Sequence, residues 1–272
     1  MQKLNILYVT TEIDPFLKLS DAADFIRLLP QKLQEKGHDI RILMPKFGVI
    51  SERKHKLHEV VRLSGINIRV GNKEKPLTIK VATIPGARLQ VYFLDNEDYF
   101  QRKTVLTDAN DTCHIDNDER SIFFCKGVIE TVKKLGWTPN IIHCHGWMTG
   151  LLPLYVKTQY RDDPMFMNAK TVFTVYNNEI DHPLPATFLE KARLDGVPQD
   201  KIAAYLDSSY LGLAKGGMRM ADAITVGSSM VSSPLIEYIN QQTIQMKMHD
   251  FAGAETPAGV DNYTELYRSI LN

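Results

Sequence analysis

The 272 residues carry 32 Lys and Arg against 32 Asp and Glu, so the chain has no net formal charge. That balance provides no basic field for nucleic acid, and no apolar run approaches the roughly 20 residues a bilayer span needs. Three cysteines, Cys113, Cys125 and Cys144, make no disulfide framework, and the odd number fits a reducing compartment. With no leader-like segment at residues 1–11, a soluble cytoplasmic protein is expected.

Residues 5–10 form an apolar stretch that predicts a strand. Ser20 can cap the helix that follows, in which Ala22, Phe25, Ile26, Leu29 and Leu33 recur at steps of three and four. Gly37 and His38 end it, and residues 39–44 predict a second strand before Pro45. Such a unit predicts a parallel pair with a right-handed crossover, the first strand lying in the sheet interior. Residues 56–94 break the rhythm. Two-residue alternation around 66–70, 77–81 and 89–93, with turn signals at Gly71-Asn72 and Pro85-Gly86, predicts a hairpin excursion that rejoins the sheet. The alternation then resumes with a helix at 117–135 burying Ile122, Cys125, Ile129 and Val132, a strand at 140–143, a helix at 147–159 and a strand at 170–175. A loop holding Pro183 and Pro185 leads to a helix at 207–220, a strand at 223–226 and a helix from Ser228 onward. Residues 241–272 read as a tail with a short helix at 261–271. The fold class expected is α/β: one domain, 1–272, with a single Rossmann-like, doubly wound, mainly parallel sheet and a β-hairpin excursion.

The segment Ile141-Ile142-His143-Cys144-His145-Gly146-Trp147-Met148 runs from a strand into a turn. In such sheets ligands bind at the carboxyl ends of strands, which puts His145 and Trp147 on the rim of a candidate crevice. Neighbouring strand residues point to opposite faces. His143 and His145 can therefore share a face that Cys144 cannot join, and buried cysteines are favoured over a metal site. No Gly-x-Ser-x-Gly elbow is present to support hydrolase chemistry, and a buried Cys144 thiol would be inert. Residues 10–20 contain no glycine, so the Gly-x-Gly-x-x-Gly loop of NAD-type binding is missing and no cofactor is expected. Lys18 in that loop is either a contact for some other anionic group or a solvated lysine.

At these residues a family resemblance emerges. Thr11-Glu12-Ile13-Asp14-Pro15-Phe16-Leu17-Lys18, Lys36-Gly37-His38-Asp39, Pro45-Lys46-Phe47, Asp116-Asn117-Asp118-Glu119-Arg120, His145-Gly146-Trp147, Thr174-Val175-Tyr176-Asn177 and Lys215-Gly216-Gly217 resemble, in order, the N-terminal domain of bacterial glycogen and starch synthases. The resemblance implies half of a GT-B architecture, in which two Rossmann-like domains face across a cleft and transfer glucose from ADP- or UDP-glucose to an α-1,4-glucan. It implies substrate-binding roles for Lys18, Asp116, His145, Trp147, Tyr176 and Asn177, which should line one crevice.

The departures from the pattern are specific. Where the family has Thr-Gly-Gly after the lysine, this chain has Leu19-Ser20-Asp21, which removes the backbone approach that glycine permits and adds a carboxylate. Gly146 and Met148 stand where the family has aspartate and histidine, and Tyr176 replaces a histidine. Residues 257–261 look like the family's interdomain crossover, and a chain without the second domain is expected. The expected function is therefore a glycogen/starch-synthase-like role in glucan metabolism, with transfer requiring a second half. The alternative is a non-catalytic glucan-binding, assembly or regulatory domain. A small-molecule enzyme reusing His145, Asp116 and Arg120 is a third reading. Trp147, Met148 and Tyr176 would form an apolar rim, covered by a second copy, a separately encoded partner or the loop around Pro183 and Pro185.

Overall fold

The computed structural model describes residues 3–176, 183–192, 197–228, 231–242, 246–248 and 256–272. The chain opens with β1 (Asn5–Val9), α1 (Ala22–Glu35) and β2 (Asp39–Pro45), then a short α2 (Glu52–His55). The excursion holds β3 (His58–Glu59), β4 (Ile66–Val70), β5 (Lys73–Thr83) and β6 (Gln90–Asp95), followed by α3 (Glu97–Phe100). Next come α4 (Asn117–Leu135), β7 (Ile141–His145), α5 (Leu152–Lys157), β8 (Lys170–Val175), α6 (Phe188–Ala192), α7 (Gln199–Ile202) and α8 (Tyr210–Met220). The chain closes with β9 (Ala223–Val226), α9 (Ser233–Gln241), β10 (Met246–Met248) and α10 (Pro257–Leu271).

The strands form one sheet in the order β10-β9-β8-β7-β1-β2-β6-β5-β3, with β4 paired to β5. From β10 to β6 every neighbouring pair is parallel. The antiparallel pairs are confined to β3, β4, β5 and β6, the expected excursion. Gly71, at φ 55°, turns β4 into β5. β1 lies between β7 and β2, in the sheet interior.

Every residue of β7 is buried, so the strand has a core on both faces. On one face Tyr8, His143, Thr174 and Thr225 form a polar row beneath α10. The Tyr267 hydroxyl lies 2.9 Å from the Tyr8 hydroxyl and 2.7 Å from His143 Nδ1. His143 Nε2 lies 2.6 Å from Thr174 Oγ1, which meets Thr225 Oγ1 at 2.6 Å. Beside this row Tyr263 packs against Phe25 of α1, with ring centroids 5.5 Å apart. On the other face α8 lies close to β8: a Cβ on Gly217 would meet the Phe173 ring at 2.5 Å, and one on Gly216 the Tyr205 ring at 2.2 Å. The Gly216-Gly217 pair thus serves close packing.

Four expectations need correction. The stretch 147–159 is not one helix but a single tight turn, Trp147–Thr149, and then α5. Pro153 accounts for the break, since proline fits the first turn of a helix and not its interior. The helix expected from Ser228 begins at Ser233. The tail helix expected at 261–271 begins earlier, with Pro257 at the start of α10 and Thr256 Oγ1 accepting from Gly259 N at 3.1 Å. The tail also contributes β10, which the sequence reading left out.

Removing the Tyr267 hydroxyl leaves both Tyr8 Oη and His143 Nδ1 short of a buried partner. Tyr267→Phe should lower the unfolding free energy by about 1–3 kcal/mol, measured by urea denaturation at constant m-value.

Candidate functional site

Beyond β1 the chain loops through Glu12, which is only 3% exposed. Its Oε2 accepts from the backbone N–H groups of Leu19 and Ser20, each at 2.7 Å, and its Oε1 accepts from the Ser20 hydroxyl at 2.7 Å. Burial pushes this carboxyl above its usual range, and the three donors act against that push. Ser20 is not the N-cap of α1: that position is Asp21, whose side chain makes no capping bond. Ser20 Oγ instead accepts from Ala22 N at 3.2 Å while donating to Glu12. Lys18 is exposed and bonds to Asp24 at 2.5 Å, which with the nearby Asp14 and Asp21 raises its pKa.

At the end of β7, His145 is buried and its Nδ1 lies 2.8 Å from the Tyr176 hydroxyl. Its ring stacks on Tyr8 with centroids 5.7 Å apart and planes 20° from parallel. Burial drives its pKa down to about 3, so the imidazole is neutral. Among the described residues, Nε2 has no partner. A neutral imidazole offers one donor and one acceptor nitrogen, so His145 keeps one hydrogen bond unmade at the strand end. Gly146 then turns the chain with φ of 78°, a region that favours glycine.

Trp147 packs edge-on against Tyr210, with ring centroids 4.4 Å apart. The Tyr210 hydroxyl accepts from Asn117 Nδ2 at 2.8 Å. One residue earlier, Asp116 is gripped by Arg102 through two bonds of 2.8 and 2.5 Å, and that guanidinium outweighs burial to hold the carboxyl below its usual range. Arg120 is fully buried over the rings of Phe47 and Phe100, and Nη1 donates to Asn117 Oδ1 at 2.5 Å. Burial, with Arg102 nearby, lowers its pKa to about 10.

His145 and Tyr176 are thus in direct contact, and Trp147 is joined through Tyr210 to the residue beside Asp116. Lys18 is instead engaged with Asp24 on the α1 side, and Asn177 lies outside the described residues. The expected apolar rim is corrected: Trp147, Met148 and Tyr176 are all buried. The tight turn after Gly146 folds the first two inward, and the bond to His145 draws in the third. Among the described residues, Leu19, Val49 and Ile115 are exposed large apolar residues on loops at this end of the sheet. The sequence reading left out Glu12, Arg102 and Tyr210 as groups that shape the site. Among the described residues, no group of three or more His, Cys, Asp and Glu is placed to hold a metal ion.

The profile of the starch synthase catalytic domain family matches residues 5–250. The chain belongs to this family. A glycogen synthase of Chlorobium limicola is 39% identical over 236 residues, covering 86% of this chain and 48% of the relative. One from Chlorobium luteolum is 40% identical over 237 residues, covering 85% and 47%. The chain therefore spans about half the length of these relatives. Among solved structures, the catalytic domain of starch synthase IV from Arabidopsis thaliana, bound to ADP and acarbose, superposes with a TM-score of 0.69 at 19% identity. That match covers 98% of this chain and 50% of the plant domain, so the fold is that of half a GT-B starch synthase catalytic domain.

Burial lowers the pKa of both His143 and His145. The unfolded chain takes up those protons near the ordinary imidazole value of about 6.5, so their contribution is intact above that pH and is lost as pH falls below it. The urea midpoint should drop between pH 7 and pH 5.5. His145→Gln should make that drop shallower, by up to about 1.4 kcal/mol per pH unit; equal slopes would argue against a neutral buried His145.

Proposed function

We propose that this chain works in α-1,4-glucan metabolism as the glucan-binding half of a glycogen/starch-synthase-type transferase. Glucosyl transfer from ADP- or UDP-glucose would need a second half supplied to it. The observation that carries the reading is His145: in a chain of this family, a neutral imidazole at a strand end retains one unmade hydrogen bond, suited to a sugar hydroxyl. Asp116, Trp147, Tyr176 and Asn177 complete the candidate glucan contacts. Met148, in place of a proton-transferring side chain, supports binding over turnover. Transition-state charge must be met by preorganised donors, and losing one costs about 10²–10³ in rate.

The second reading, a non-catalytic assembly domain, draws on the exposed Leu19, Val49 and Ile115, since apolar groups around one end of a sheet suit a contact surface. A second copy or a separately encoded chain would cover them, and light scattering at micromolar concentration distinguishes a monomer from a dimer.

Calorimetry of the purified chain should detect maltoheptaose binding, and His145→Ala should weaken it at least about tenfold, the worth of one lost hydrogen bond to a buried polar group. Radiolabelled ADP-glucose or UDP-glucose with glycogen should give no measurable incorporation by the 272-residue chain alone. Robust incorporation would refute the need for a second half; no binding of maltoheptaose would refute the glucan reading.

A further inference from the structure

The loop between β1 and α1 is where a doubly wound sheet ordinarily receives a phosphate, because backbone N–H groups and the positive end of the helix dipole converge there. In this chain that place is already filled from within. The N–H groups of Leu19 and Ser20 and the Ser20 hydroxyl all donate to the Glu12 carboxylate, which is almost wholly buried. The nearby cation, Lys18, is engaged by Asp24 at 2.5 Å. Asp14 and Asp21 add two further carboxylates within electrostatic reach of that ammonium. One lysine thus stands against Asp14, Asp21 and Asp24, while Glu12 holds the loop's donors.

We infer that the entry to α1 rejects anionic ligands, so that the crevice at the strand ends selects an uncharged glucan and takes no hold on the diphosphate of a sugar nucleotide. The inference deepens the proposed glucan role and rests on it for the identity of the preferred ligand. Among the described residues, His145 Nε2 is a buried atom without a partner; it belongs to a neutral imidazole, which suits a hydroxyl and offers no countercharge to a phosphate, while the unpartnered Arg120 Nε and Nη2 are buried against Phe47 and Phe100. The diphosphate of any nucleotide taking part would have to be held by groups away from this loop. Asp21 and Asp24 are the specificity-determining residues: a unit charge 4–5 Å away changes affinity roughly fivefold in water, so the two together are worth roughly twentyfold.

The test follows the backbone amides of residues 18–23 by nitrogen-15 NMR of the full chain at low salt, titrated with inorganic pyrophosphate. The isosteric variant D21N/D24N keeps side-chain shape, removes both charges and frees Lys18; circular dichroism confirms that α1 persists. In the native chain the amides should stay still over the range in which the variant titrates, with at least about a tenfold gap in affinity. Native amides that titrate as readily as the variant's, or a variant that gains nothing, would overturn the inference. Maltoheptaose affinity should agree within about twofold between the two proteins, since no carboxylate faces a charged ligand there; a loss in the variant would overturn the assignment of Asp21 and Asp24 to discrimination alone. If maltoheptaose binds neither protein, the glucan reading falls while the pyrophosphate comparison still decides the rejection of anions.

Discussion

A strand buried on both faces can carry imidazoles only if they stay neutral and find their partners inside the protein. β7 meets that constraint fully at His143 and in part at His145. His143 is bonded at both nitrogens, to Tyr267 and to Thr174, and desolvation holds its pKa far below the ordinary value. This requirement reaches well beyond the strand. It fastens α10 to the sheet, because a tyrosine near the end of the chain supplies one of the two partners. It also ties β8 and β9 together through Thr174 and Thr225. Among the described residues, His145, two residues on and on the same face, is held by Tyr176 alone. An unmet hydrogen bond in a buried group costs about 1–3 kcal/mol, and such a cost concentrates where a ligand or water can relieve it.

A second set of ties fixes the start of α4. Asp118 is fully buried and accepts from Lys191 at 3.0 Å, while the carbonyl of that same lysine accepts from Gly71 N at 2.9 Å. α6 therefore clamps the β4–β5 turn onto α4. Glu119 accepts from Tyr99 at 2.9 Å and pairs with Lys191 at 3.0 Å, joining α3 to the same point. The antiparallel excursion is thus more than an insertion at the sheet edge: it braces the helix whose first residues, Asp116 and Asn117, lead toward Trp147. Buried ion pairs are weak evidence of net stability, but removing one partner strands the other, so Lys191 and Asp118 specify position more than they add stability.

Much of the fold was readable from local pattern. Strands with continuous apolar runs, and helices such as α1 and α4 with three-and-four spacing, appear where periodicity puts them, because parallel sheets covered on both faces impose those patterns. The misses have physical reasons. Trp147 looks like a rim residue from its place after a strand, yet it turns inward to meet Tyr210, 63 positions later in the chain by subtraction of their numbers, and no local signal announces that partner. The Glu12 bonds to Leu19 and Ser20 are invisible to periodicity because they lie within a loop. The start of α10 did leave a mark, Thr256-Pro257, a cap and a first-turn proline.

The family assignment and the charge pattern bear on separate steps of the chemistry. Binding a neutral glucan asks for hydroxyl partners and apolar surface. Expelling a diphosphate asks for countercharge fixed in advance. Three cations near the strand ends are committed internally: Lys18 to Asp24, Arg102 to Asp116, and Lys191 to Asp118 and Glu119. Arg120 is charged at neutral pH but buried against two phenyl rings. Releasing any of these cations would strand a carboxylate, and for the fully buried Asp118 that penalty would be several kcal/mol. A leaving diphosphate would therefore be stabilised more readily by cations brought in from outside these pairs than by breaking one of them. On the proposed reading, that difference in cost is what separates glucan recognition from glucosyl transfer at these residues.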